Sequence, residues 1–149
     1  SMNPRHHPSL DVLTAYAAGG LEPGFGLVVG AHLEACAQCR GQTAQLEAAS
    51  GAALEALEDV AVSADALARV MARLDGAAPL RAPKPDSRPF IERLPLKPRK
   101  WVAPGVWVAA VDTPHHKNDR VYLLSVVPGM PTARHAHSGA EFCTVLSGA

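Results

Sequence analysis

The chain has 149 residues, with 14 basic against 14 acidic side chains, 48% hydrophobic residues and only 5% aromatic ones. That length allows one ordinary domain or two small ones, and the alanine-rich, aromatic-poor composition favours closely packed helices. No apolar run approaches the roughly 18–20 residues of a membrane span, and the N-terminus lacks a signal peptide's apolar stretch, so a cytoplasmic protein with no membrane partner is expected. Ser1 ahead of Met2 reads as an expression scar. The zero net charge conceals a division: residues 1–79 carry four basic and nine acidic side chains, a net of −5, and the remainder is +5. An acidic first part argues against direct DNA contact, because phosphate binding requires Lys and Arg. It suits a basic partner, or simply a solvated helical surface.

Residues 9 to about 75 read as four helices. Ser9 can N-cap the first, with Leu10, Val12, Leu13, Tyr16 and Ala17 facing inward and Gly19-Gly20 ending it. Pro23 suits the first turn of a second helix, expected from Phe25 to about Cys39. A third is expected from Gln42 to Glu58, with Leu46, Leu54 and Leu57 as apolar positions and Gly51 weakening its centre. In the fourth, Ser63 caps and Asp65 sits in the first turn. Leu67, Val70, Met71 and Leu74 then follow the spacing of one helical face as far as Gly76.

From Gly76 to Lys100 the chain holds six of its thirteen prolines, mixed with Arg and Lys. Proline at that density disfavours both helix and central strand, which predicts an extended, semi-rigid linker. Beyond Trp101 two strands are expected, Val106–Val111 and Val121–Val127, joined by a polar turn through His115-His116.

The second helix carries the most telling pattern, His32-x3-Cys36-x2-Cys39. At about 3.6 residues per turn, positions i, i+4 and i+7 share one helical stripe. Imidazole and thiolate are the ligands zinc prefers, and a closed structural site takes four. His6-His7 upstream can supply the fourth. The plain alternative is that both cysteines are small buried hydrophobes and His32 an ordinary helix residue.

A second constellation lies near the C-terminus: Gly129-x5-His135-x-His137-x3-Glu141-x6-Gly148. On a strand, His135 and His137 point to one face. Two imidazoles and a carboxylate suit Zn²⁺, Mn²⁺ or Fe²⁺. This pattern, glycines included, resembles the first motif of the cupin superfamily. A surface histidine-rich loop is the alternative.

Taken together, the chain resembles the ChrR family of zinc-binding anti-sigma factors. The residues that carry the resemblance are the His6-His7 pair, Thr14-Ala15-Tyr16-Ala17-Ala18-Gly19, the His32/Cys36/Cys39 motif and the cupin pattern. The resemblance implies an α+β chain. Its parts would be a four-helix zinc-binding anti-sigma domain over residues 1–78, a proline-rich linker over 79–100 and a partial cupin β-barrel over 101–149. It implies structural Zn²⁺ held by His7, His32, Cys36 and Cys39, with His7 rather than His6 at the family position. His135, His137 and Glu141 would form three of the cupin ligands, with a second Zn²⁺, Mn²⁺ or Fe²⁺ in the complete domain. A cupin site takes a further histidine from a downstream motif, and none of the seven histidines remains for it. The chain is therefore expected to be part of a longer protein.

The implied function is non-enzymatic: binding and inhibition of a group IV (ECF) sigma factor, released by oxidative stress of the singlet-oxygen or organic-hydroperoxide type. Two other readings stay open. One is a metal-dependent, dioxygenase-like cupin enzyme with a helical appendage. The other is a switch in which Cys36 and Cys39 form a disulfide once zinc is lost.

Overall fold

The computed structural model describes residues 4–76, 86–113, 120–131 and 139–148. Three helices pack together: α1 (Leu10–Ala17), α2 (Pro23–Ala35) and α3 (Ala37–Glu55). Ser9 stands at the N-cap of α1, yet its side chain makes no cap bond. Its hydroxyl instead hydrogen-bonds the Asp11 carboxylate, which holds that group below the usual carboxylate range. α1 ends in the two-bond Schellman arrangement, Gly20 N–H to Ala15 O and Gly19 N–H to Tyr16 O. That turn needs the left-handed backbone of Gly19, at φ 68°. Pro23 occupies the first turn of α2, where its missing N–H would have no helical partner in any case.

The expected boundary between the second and third helices is corrected. α2 ends at Ala35, and Cys36 is extended (φ −110°, ψ 103°) before α3 begins at Ala37. Two side chains account for the break. The Cys36 sulfur accepts the Cys39 N–H at 3.5 Å, serving as the N-cap of α3. The Arg40 guanidinium donates to Leu33 O at 2.7 Å and Glu34 O at 2.9 Å, two of the last carbonyls of α2. Each new helix end thus receives a partner that a continuous helix would not need.

The core of this part is Leu13, Val29, Leu33, Cys36 and Cys39, with Val12, Tyr16, Leu21 and Leu46 packed against it. Leu10, expected to face inward, is exposed, as are Leu54 and Leu57, two of the apolar positions expected in the third helix. For the last two the reason is length: α3 has 19 residues against 8 in α1 and 13 in α2, so its C-terminal turns outrun their neighbours. α4 (Ala66–Gly76) buries none of its residues, and Leu67, Val70, Met71 and Leu74 are between 49% and 73% exposed. Ser63 precedes it, with its carbonyl accepting the Ala66 N–H and its hydroxyl accepting from Arg69.

Residues 86–100 contain a single helical turn, α5 (Phe90–Arg93), and then join the sheet. Leu96 bridges Val111, and Lys97 N–H donates to Ala110 O at 2.8 Å. The sheet is an antiparallel meander of β1 (Lys100–Ala103), β2 (Val106–Ala110) and β3 (Tyr122–Val126) in that order. Pro104-Gly105 turns β1 into β2, with Gly105 at φ 72°. The two expected strands are present, and β1 adds a third that begins at the end of the proline-rich stretch. Pro79, Pro83, Pro85, His115 and His116 lie outside the described residues.

Candidate metal centre

Four side chains from three pieces of chain meet in the helical core. His7 comes from the segment ahead of α1 and His32 from the last turn of α2. Cys36 comes from the helix junction and Cys39 from the first turn of α3. Their ligand atoms all lie within 4.8 Å of one another. The His7 Nδ1 is 3.4 Å from each of the Cys36 and Cys39 sulfurs. The His32 Nε2 is 3.3 Å from the Cys39 sulfur. A tetrahedral ion with bonds of about 2.3 Å to sulfur and about 2.0–2.1 Å to nitrogen has N···S edges of about 3.6 Å. The observed contacts are close to that edge. The two imidazoles meet edge to face, at 89° and 5.6 Å between ring centres.

Burial explains why this cluster suits a divalent cation. Cys36 and Cys39 are fully buried, His32 is nearly so, and His7 is exposed. Burial, and secondarily the charge of His7, pushes the His32 pKa down, which keeps the ring in its neutral, ligating form. Burial first, then the hydrogen bond and charge of Cys36, pushes the Cys39 thiol up to about 11. Adjacent buried thiolates repel, and a 2+ ion between them removes that penalty. Two thiolates, two neutral imidazoles and one divalent cation sum to zero charge, the arrangement least opposed by a buried setting. Four protein ligands also complete a tetrahedron, leaving no position for water or substrate.

The side chains of His32, Cys36 and Cys39 come together, but not as one helical stripe. The extended Cys36 turns the chain so that the three side chains converge from a helix end, a cap and a helix start. Of the adjacent histidines, His7 enters the cluster, while His6 lines a neighbouring cavity. In the second constellation, His135 and His137 lie outside the described residues. Glu141 lines that same cavity, beside His7 and His32. Gly129 and Gly148, the flanking glycines of the pattern, both have positive φ, 80° and 86°.

Sequence reasoning missed the capping role of Arg40 and the contacts between α2 and residues 142–144. Arg40 follows Cys39 directly, and a basic residue in the first turn of a helix signals nothing by itself. No local pattern links positions 116 residues apart, the separation of Thr144 from Val28.

Comparison with known proteins places these observations in context. No protein-family model matches the chain. It is 36% identical over 156 aligned residues to the anti-sigma-E factor ChrR of Cereibacter sphaeroides, an alignment covering 99% of this chain and 73% of that protein. Among solved structures it is similar to the crystal structure of Rhodobacter sphaeroides SigE in complex with the anti-sigma ChrR. That match has a TM-score of 0.57 and 39% identity, over 75% of this chain. It covers 61% of the solved chain, so this sequence spans about three fifths of it.

Proposed function

The chain belongs to the ChrR family of anti-sigma factors, and we propose that it binds a group IV (ECF) sigma factor and keeps it from RNA polymerase. The observation that carries this reading is the identity along nearly the whole chain to an anti-sigma-E factor. The resemblance to a chain solved in complex with SigE supports it. The mechanism is competitive: inhibition lasts while sigma binds this chain better than it binds polymerase.

Zinc is the ion the donor set favours, since two thiolates and two imidazoles in a closed tetrahedron match its structural sites. Its part is to hold the ends of α2 and α3 and the pre-α1 segment in one arrangement. His7, His32, Cys36 and Cys39 are its ligands in this reading, and the anti-sigma domain occupies residues 1–78. The linker over 79–100 joins it to a cupin-like part over 101–149, with His135, His137 and Glu141 as incomplete cupin ligands. A complete cupin domain would hold a second Zn²⁺, Mn²⁺ or Fe²⁺. The protein acts in the cytoplasm, and oxidative stress releases the sigma factor. Among the described residues, no helix is long and apolar enough to cross a membrane. The four apolar residues of α4, unused by the helical core, supply part of the sigma-binding surface.

The test is transcription reconstituted from the cognate sigma factor and core polymerase, with sigma captured on the immobilised full chain beforehand. Repression at stoichiometric chain is expected. Unimpaired transcription at saturating chain overturns the reading. A disulfide between Cys36 and Cys39 that forms on oxidation as the metal is lost and sigma is released would favour the thiol-switch alternative instead.

A further inference from the structure

The segment 141–144 belongs by sequence to the second constellation, yet it sits on α2 of the helical part. The Phe142 ring meets the Phe25 ring edge-on, with centres 4.5 Å apart, and Phe142 also packs against the core cluster that contains both ligand cysteines. The Thr144 hydroxyl donates to the Val28 carbonyl at 3.1 Å. Val28 lies four residues before His32, so this is the carbonyl to which the regular helical ladder assigns the His32 N–H. Between the segment and the helices lies a cavity of about 310 Å³. One wall is Glu141 to Thr144, and the opposite wall includes Val12, Val28, His7 and His32.

We propose that residues 142–144 are an intramolecular clasp on α2, forming the outer wall of the metal centre and governing how fast reagents reach Cys36 and Cys39. The inference rests on the metal-site reading for its metal arm only. Closed, the clasp adds an aromatic contact beside the core and a hydrogen bond on the helical turn that carries His32. Open, it removes one wall of the cavity and bares the buried His32 side of the cluster, His7 being exposed already. Because the clasp belongs to the C-terminal part of the chain, any event that pulls that part away changes access to the thiolates without contacting them. The device therefore couples the two ends of the chain through α2.

A second contact on α2 serves as the control. Arg93 of α5 pairs with Glu34, and Phe90 lines a groove with Tyr16, Leu27 and Gly30, to which none of the four cluster residues contributes. That contact holds α5 to α2 but walls no cavity beside the metal centre.

The experiment compares the full chain with Phe142→Ala, Thr144→Val and Arg93→Ala. Two rates are read: zinc transfer to a chromogenic chelator, and iodoacetamide alkylation of Cys36 and Cys39 in the reduced protein as purified, with no chelator added, resolved site by site by mass spectrometry. Phe142→Ala should raise both rates about threefold to tenfold, as should loss of the single hydrogen bond in Thr144→Val, with helical circular dichroism unchanged. Arg93→Ala should leave both rates at the wild-type value. Wild-type rates in both clasp variants overturn the clasp, as does equal acceleration in Arg93→Ala, which would indicate general loosening. If the chain binds no zinc, the alkylation arm still decides the clasp, so its failure is distinct from failure of the metal reading.

Discussion

Removing the metal should unfold the helical part rather than loosen it. Its largest fully buried side chains among the described residues are Leu13, Cys36 and Cys39, a thin core for three helices. A domain this small draws only about 3–5 kcal/mol from its core alone. Closing a structural zinc site contributes about 10–16 kcal/mol of apparent folding free energy. The second term exceeds the first about two- to fivefold, and without the ion the core must also offset the cost of buried thiols and an imidazole that have lost their shared partner, which puts the metal-free state on the unfolded side. Cys36→Ala and Cys39→Ala should each lose zinc by elemental analysis, together with the cooperative helical melt seen by circular dichroism. Cys36 has an added role as the α3 N-cap, which serine also fills. With zinc chelated and a stabilising osmolyte present, Cys36→Ser should therefore exceed Cys36→Ala by about 1 kcal/mol, or roughly 4–8 °C in midpoint. Undiminished zinc in both alanine variants, or a chelated wild type that melts with unchanged helicity and cooperativity, would refute the reasoning.

The remaining expectations follow the same chemistry. Zinc binding must displace the proton of the Cys39 thiol, which stays protonated well above neutral pH. Affinity should thus rise with pH, at least about tenfold per unit between pH 7 and 9, in competition titrations against a chelator of known pH dependence; a flat profile would exclude a thiolate ligand at Cys39. Arg40→Met strips two α2 carbonyls of their donor and should lower the thermal stability of the helical part by about 1–3 kcal/mol, with zinc stoichiometry kept. Gly105→Ala places a Cβ 2.6 Å from a Val127 methyl at a residue with φ 72°, and should destabilise the sheet by about 1–3 kcal/mol in urea melts followed by the fluorescence of Trp101 and Trp107. Leu67→Asp with Met71→Asp on α4 should leave the melting temperature within a degree or two while weakening sigma binding by at least tenfold, measured by titration calorimetry; unchanged affinity would remove α4 from the sigma surface.

The parts of the site legible in the sequence were those that depend on residue type and short spacing. Soft donors seven residues apart announce a metal whatever the local backbone does, because thiolate and imidazole retain their ligand preference in any conformation. The glycine pair after α1 and the proline that opens α2 act through backbone dihedrals of one or two residues, which tertiary packing seldom overrides. The break at Cys36 was not legible, because alanine, cysteine and glutamine there are all compatible with a continuous helix. It exists because a cap and a capping guanidinium satisfy the freed backbone groups.

Composition and spacing alone therefore determined the chemistry of this chain: an acidic, alanine-rich helical part built around soft donors that could hold a metal, followed by proline and then strands. Residue type and spacing left the adjacent histidines undistinguished; the family resemblance pointed to His7, and the tertiary structure brings His7 into the cluster. It also decided which apolar faces are buried, and that Phe142 and Thr144 lie against α2. Those outcomes depend on how long each helix is relative to its neighbours and on contacts between residues more than a hundred positions apart. No local pattern carries that information, since the free energy of such contacts is realised only once the intervening chain has folded.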